Sequence, residues 1–330
     1  MGRPATGTTV YVLELGGQDD DFAVFEARSA ASDVALLAPG LATAGSVTDR
    51  VRHLAYTRRA SELLARTDPD VDSARTALAD APLDRSGTVA VRAVDVRGRT
   101  GVETQRAERE LGSVLVDRGF AVDLEDPDQE LRALFAEGAC ALGWLVAESH
   151  RDYGTRKPTD RPFFQPGSMD PLLARALANA AGARPGATVL DPMCGTGGIL
   201  VEAGLVGARV LGIDAHSEMV RGSRENLAHF LDGEWEVARG DARNLPVADG
   251  SVDAVVFDAP YGRQSKVEGR LDTLVFEALR EARRVAPRCV VVGDRPWAQP
   301  AHEAGWTTEA AFDRPVHASL TRYVLALWRG

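Results

Sequence analysis

Lysine is almost missing from this 330-residue chain: Lys157 and Lys266 stand against 36 arginines. Cysteine is nearly as scarce. Cys140, Cys194 and Cys289 lie too far apart for a disulfide framework or metal-ligand spacing, and the six histidines are equally scattered. No metal site is expected. No apolar run approaches the ~20 residues that span a bilayer. The opening "MGRPATGTTVYVLEL" has no apolar core between a basic start and a small-residue cleavage site. The chain is therefore expected in the cytoplasm, with no membrane association. The same opening fits a short myristoylation pattern through Gly2 and Thr6. So short a match arises by chance, and one acyl chain anchors only marginally.

What is present is acid. The net charge is −10, and it is uneven: residues 1–150 hold 16 basic and 25 acidic side chains, residues 151–330 hold 22 and 23. Such a composition fits a GC-rich genome, with either a salty cytoplasm or codon bias alone behind it. Acidic surface keeps a protein soluble where salt screens mutual repulsion. Two stretches run against the trend. Residues 85–109 carry six arginines against three acids, on a strand-like "TVAVRAVDVRG" and the start of a helix over Gln105–Arg118. The segment "VRHLAYTRRASELLAR", Val51–Arg66, reads as a basic amphipathic helix. Sharing one surface, they would form a nucleic-acid footprint; otherwise they are a solvated face.

"SHRDYGTRKPTDRPFFQPGSMDP", Ser149–Pro171, has several prolines and no sustained period, and reads as an interdomain linker running into a turn. Beyond it strands and helices alternate. Strands are expected at Thr188–Pro192, Val210–Asp214, Trp235–Arg239, Val252–Asp258, Cys289–Gly293, Thr307–Phe312 and Tyr323–Trp328. Helices are expected at Leu172–Ala181, Ile199–Leu205, Met219–Leu231, Leu274–Val285 and Ala298–Ala304. This alternation predicts an α/β fold with a parallel sheet, ending in an antiparallel hairpin at one edge.

Chemistry concentrates at the strand ends. In "ATVLDPMCGTGGILVEAGLVGARVLGIDA" a strand ends at Asp191, a turn with Gly195, Gly197 and Gly198 follows, and a second strand ends at Asp214. Glycines there let backbone approach a ligand at a helix N-terminus, and an acid after the second strand can hold a ribose. A dinucleotide fingerprint would begin with glycine; here the turn begins Asp191-Pro192. A carboxylate at that point repels pyrophosphate and suits a cation. S-adenosylmethionine, with its ammonium and sulfonium, is the expected cofactor. Asp191 would lie near its methionine part, Asp214 at its ribose, and Asp241 with Ala242, after the third strand, at its adenine. Asp258 ends the fourth strand at the same edge. With the backbone carbonyls of Ala259 and Pro260 it could accept protons from an exocyclic amine, directing the nitrogen lone pair at the methyl group. Tyr261 would offer its face to the base, a stacking contact contributing ~1–3 kcal/mol.

These residues resemble a known family. "FDAPYGRQS" resembles the D/N-P-P-Y motif of amino-group methyltransferases, with Ala259 in place of the first proline. "RPFFQPGSMDP" followed by "LDPMCGTGGILVEA" resembles the archaeal THUMP-containing tRNA guanine-N2 methyltransferases that modify guanosine 10. The match covers about 160–330 with specific motifs and the first 150 residues only through their layout. The resemblance implies a Rossmann-like class I methyltransferase domain over 166–330, with a seven-stranded, mostly parallel sheet, after a linker at 151–165. It implies a ferredoxin-like α+β piece at 1–50 and a THUMP-like RNA-binding domain at 51–150. It also implies Phe164 and Ser168 beside the cofactor, tRNA as partner, and methylation of guanine N2. The expected assembly is a monomer, a small activator subunit being the alternative. Two other functions remain open: amino-group methylation of another nucleic acid or a protein amide, and a noncatalytic RNA-binding partner of the same fold. Arg263, Gln264, Ser265 and Lys266 could reach phosphate or base, or form a surface loop. Cys194 is read as a small filler, His216 as a helix-start residue, and Trp235, Trp297 and Trp306 as packing.

Overall fold

The computed structural model describes residues 9–261, 265–317 and 320–330, leaving aside the side chains of 265–270, 316, 317 and 320. Gly2, Thr6, Arg263 and Gln264 lie outside the described residues, as do the side chains of Ser265 and Lys266. The chain divides into two units, 1–150 and 151–330.

In the first unit the elements run β1 (Tyr11–Leu15), α1 (Asp20–Ala27), β2 (Ala31–Ser32), β3 (Ala35–Ala38), β4 (Leu41–Ala44) and β5 (Ser46–Val47). Next come β6 (Thr57–Thr67), α2 (Val71–Asp80), β7 (Thr88–Asp95), α3 (Thr104–Asp117), β8 (Ala121–Val122), β9 (Gln129–Ala136) and β10 (Ala139–Glu148). Eight strands form one sheet in the order β3-β4-β1-β6-β10-β9-β7-β8, while β2 and β5 pair separately. Strand β1 pairs with β6, so chain from both sides of residue 50 enters the same sheet. Helices α1 and α2 begin at Asp19 and Asp70, whose carboxylates accept backbone N–H bonds at 3.1 and 2.8 Å, the usual N-cap arrangement. Leu111 and Leu115 of α3 pack with Leu78 of α2 over Leu131 and Trp144 of the sheet.

One expectation is overturned here. Val51–Arg66 is not a helix: a short 3-10 turn over Asp49–His53 precedes the eleven-residue strand β6. Ala, Leu, Arg and Glu favour helix by only tenths of a kcal/mol per residue. Pairing with β1 on one side and β10 on the other satisfies the β6 backbone and buries Ala60 and Ser61, which outweighs that preference. Several arginines read as a basic face are also internally engaged. Arg59 pairs with Glu148, Arg85 with Glu62, Arg97 with Asp20 and Arg106 with Glu110.

The second unit continues with α4 (Pro171–Ala181), β11 (Thr188–Asp191), α5 (Gly198–Leu205), β12 (Arg209–Asp214), α6 (Ser217–Phe230) and β13 (Trp235–Arg239). It ends with β14 (Ala254–Asp258), α7 (Ser265–Val285), β15 (Arg288–Gly293), α8 (Ala298–Glu303), β16 (Thr307–His317) and β17 (Leu320–Trp328). The sheet order is β13-β12-β11-β14-β15-β17-β16. The first five strands are parallel; β17 runs antiparallel to both β15 and β16. This is the class I methyltransferase architecture, with seven strands and an antiparallel terminal hairpin. Strands such as "AVVF" and "CVVV" are apolar throughout because helices cover both faces. Strand order reverses between β11 and β14, and a crevice opens outside the strand ends at such a switch point. Segment 151–165, expected as a linker, is part of this unit. Arg156 within it is buried and bonds Glu202 of α5 at 2.7 Å, and Glu202 also pairs with Arg175 of α4 at 2.7 Å.

Among the described residues no helix is long and apolar enough to cross a membrane, and no cluster of three or more His, Cys, Asp or Glu could hold a metal ion.

Candidate active site

A cleft of about 340 Å3 opens at the β11/β14 switch point, between Ser168–Met169, the loop Met193–Thr196, Met219 and the carboxylates Asp191 and Asp258. The loop is shaped by hydrogen bonds from Cys194 N to Ile213 O at 2.9 Å and from Gly197 N to Cys194 O at 2.7 Å. Gly195 and Gly197 hold φ of +51° and +78°, conformations side chains resist. A Cβ at Gly197 would run into Ser223 and Leu227 of α6; one at Gly195 would meet only open space. Gly197 thus packs the loop on a helix, and Gly195 keeps the cleft floor clear.

Four of the expected residues line this cleft: Ser168, Asp191, Gly195 and Asp258. The Ser168 hydroxyl bonds Gln165 O at 2.7 Å and lies 3.1 Å from Thr196 Oγ1. Asp191 is 2% exposed, and its Oδ1 accepts Met193 N at 3.0 Å. Asp214 sits behind the loop, where its carboxylate accepts Gly195 N at 3.0 Å and His216 N at 2.9 Å. A carboxylate has about four lone-pair sites, so capacity remains for a ribose hydroxyl. Asp241 stands apart from the cleft lining: the Arg243 guanidinium grips it, with Nε 3.0 Å from Oδ1 and Nη2 2.7 Å from Oδ2. Ala242 beside it is buried. Phe164 is 43% exposed and outside the cleft lining. Its neighbour Phe163 is the ring that packs against α6 at Gly222.

On the far side Ala259 N donates to Val292 O at 2.8 Å, seating the turn after β14 on β15, and Pro260 is exposed. Tyr261, expected to offer a face to a base, has a further contact. Its hydroxyl reaches back to Asp258, 2.9 Å from Oδ1 and 3.2 Å from Oδ2.

Electrostatics set this site apart. Burial pushes the Asp191 carboxyl well above its ordinary range; the Met193 N–H opposes this, and the charges of Asp214 and Asp258 add to it. Burial raises Asp258 to about 6, against the charge of Arg322 and the Tyr261 hydrogen bond, with Asp294 raising it further. Among the described residues, two acids whose carboxyls burial raises therefore line one cleft. Such a site favours a cationic ligand. Cys194 is buried and its thiol is also pushed up, chiefly by burial, as befits packing and not a nucleophile.

Asn226 is a residue that sequence reasoning missed. Its Oδ1 accepts Phe163 N at 2.9 Å, and its Nδ2 donates to Phe163 O at 2.9 Å and Thr196 O at 2.8 Å. One buried amide thus ties the segment before α4 to the glycine loop. The available clue was a polar residue in the stripe Val220, Ser223, Leu227 that α6 turns inward. Arg161, buried over Gly198 with Nη2 3.3 Å from Met169 O, braces the same segment.

Comparison with known proteins agrees with this architecture. The family described as RMKL-like, methyltransferase domain, matches residues 158–321, a range that contains the whole cleft lining. A tRNA (guanine(10)-N2)-dimethyltransferase of Methanothermobacter thermautotrophicus is 44% identical over 180 residues, 54% of this chain and 53% of that one. One of the same description from Pyrococcus abyssi is 31% identical over 243 residues, 72% of this chain and 73% of its own. The crystal structure of TrmN from Thermus thermophilus, 23% identical, superposes with a TM-score of 0.50 over 97% of this chain and 100% of that one. The chain spans about half the length of the first of these relatives. By the extent of these matches, the chain belongs to the family of the archaeal tRNA (guanine(10)-N2)-methyltransferases.

Proposed function

We propose that the cleft binds S-adenosylmethionine and that the chain methylates the exocyclic N2 of a guanine in tRNA, at position 10 as its relatives' names state, adding one methyl or two. The observation carrying this reading is Asp258 at the tip of β14, its carboxylate in the cleft shared with Asp191 and followed by Ala259-Pro260-Tyr261. The residues present fit the cofactor. Among the described residues no cation pairs with Asp191, a place an ammonium would fill, and Gly195 leaves open space for close approach. Ser168, Asp191 and Gly195 would hold the methionine part, and Asp214 and Asp241 the nucleoside, Asp241 after releasing Arg243. Bound there, the cofactor supplies an electrophilic methyl group.

The chain's own part is to make a poor nucleophile react. The guanine amine has its lone pair conjugated into the ring. Asp258 and the carbonyls of Ala259 or Pro260 accept its N–H bonds, so that the lone pair turns outward as the nitrogen pyramidalises. Ionised Asp258 is required for this, and kcat/KM for the cofactor falls as pH drops through about 6, the value in the free chain.

In this proposal the first unit, residues 1–150, in which chain from both sides of residue 50 shares one sheet, contains the THUMP-like part that grips tRNA, in a cytoplasmic protein. That an acidic unit should bind RNA implies recognition by shape, stacking and a few arginines more than by counterion release. The decisive experiment is incubation of the full chain with unmodified tRNA and methyl-labelled cofactor, followed by mapping of the label. Label on guanine N2 at position 10 is expected. Label on another base, on DNA or on protein would reassign the acceptor, and no transfer to any of them would remove the reading.

A further inference from the structure

On that reading Asp258 needs its carboxylate ionised and correctly turned, and both demands require a neighbour that supplies charge and direction. We propose that Arg322, on β17, is the positioning residue of the site: through the Tyr261 hydroxyl it orients the Asp258 carboxylate and supports its charge.

The geometry is a chain of two hydrogen bonds. Arg322 Nε lies 3.1 Å from Tyr261 Oη, and Tyr261 Oη lies 2.9 and 3.2 Å from the two Asp258 oxygens. The direction of the chain is fixed by chemistry. A guanidinium only donates, so the phenol must accept from Arg322, and its single proton is left for Asp258. A neutral amide or hydroxyl in place of Arg322 could donate or accept and would leave the phenol proton free to turn away. Arg322 is 8% exposed, so its charge acts through little water.

Its position follows from the fold. Gly293 of β15 pairs with Tyr323 of β17, which places Arg322 beside the end of β15, next to Asp294. Among the described residues, the ionisable groups around Asp258 are then Asp191 from β11, Asp294 after β15, Tyr261 from its own loop, and Arg322 from β17. Asp294 opposes the Asp258 charge and Arg322 supports it. Arg295, a further cation among the described residues, bonds Asp294 through Nε at 3.4 Å and approaches Asp272 at 3.6 Å. The antiparallel hairpin thereby delivers a cation to the active edge of the sheet.

The test reads Asp258 directly in the full chain without substrate, by carbon-13 NMR titration of the aspartate carboxyls, assigned with Asp258→Asn. In the wild type the Asp258 midpoint is expected at about 6. Arg322→Gln should raise it by about one unit, the lower end of the effect of an adjacent opposite charge. Arg322→Lys, which keeps the charge, should fall between the two. The acid limb of methyl transfer should move with the NMR midpoint, while cofactor affinity changes by less than about threefold. If Arg322→Gln does not fold, Tyr261→Phe removes the bridge and should raise the midpoint in the same direction. An unmoved midpoint in the folded variant, with turnover merely lowered, would overturn the proposal. A moved midpoint in a protein that does not methylate tRNA would leave Arg322 its role and remove the substrate reading alone.

Discussion

In the first unit, Glu14 and Glu26 enter the interior with partners already in place. Glu14 meets Arg132 in a two-pronged pair at 2.8 and 3.0 Å, and the fully buried Glu26 accepts the backbone N–H groups of Ala55 and Tyr56 at 2.6 and 2.7 Å. The second unit treats Glu202 the same way, between Arg156 and Arg175. At the carboxyl edge of its sheet it does the opposite. Asp191 is as buried as those glutamates, yet among the described residues it takes a single backbone N–H and faces two further acids. Burying a charge without a partner is costly, so folding alone selects against it. On the proposed function, the difference between the two regions separates acids that serve the fold from acids that a ligand would complete.

The contrast can be broken by exchanging charge for neutral side chains. The largest effect is on turnover: Asp258→Asn should lower the methyl-transfer rate by ~10²–10⁴, the range for loss of a positioned acid–base group. Cofactor affinity in that variant should fall by at most about tenfold, through loss of one of the two acids that face the cationic donor, far less than the rate falls, and single-turnover kinetics with calorimetry would show both. A wild-type rate would remove Asp258 from the chemistry. Next, Glu202→Ala should cost ~3–5 kcal/mol of stability, because it strands the buried Arg175 and leaves the buried Arg156 with the exposed Asp152. Denaturant titration would measure it, and a loss below ~1 kcal/mol would mean that the paired acids are not structural.

The smallest effect has the opposite sign. Asp258 in the folded chain titrates at about 6, above its ordinary 3.8, so its ionisation opposes folding. The associated stability is fully present below about pH 4 and is lost as pH rises through 6. Asp258→Asn should therefore stabilise the free protein by ~1–3 kcal/mol at pH 8, a gain that vanishes near pH 4. Thermal melts at the two pH values would check this; equal midpoints for both proteins at pH 8 would contradict it.

How much of this was legible in the sequence follows from the range of each interaction. Trp235–Arg239 appears in the structure with the limits expected of it, and Asp191, Asp214 and Asp258 fall at the strand ends expected of them. Parallel strands buried on both faces leave a local signature, and an acid closing such a run is visible without coordinates. Strand β6 left the wrong signature, since its helix-favouring residues are overruled by pairing with β1 and β10, both distant in sequence. Asp241 stands after the expected strand, but its grip by Arg243, two residues on, is a matter of rotamer. Asn226 with Phe163, and Arg322 with Tyr261, meet across 63 and 61 residues, and no local period records such pairs.

The central claim is that the Asp191 and Asp258 carboxylates are held short of positive charge so that a cationic methyl donor supplies it. Calorimetry of S-adenosylmethionine binding at pH 6.5, in two buffers of different ionisation enthalpy, tests this most directly. The account predicts net proton release on binding as the raised carboxyls ionise. It also predicts that Asp191→Asn binds at least about tenfold more weakly, some 1.4 kcal/mol, and releases fewer protons. Binding by that variant with unchanged affinity and an unchanged proton count would contradict it.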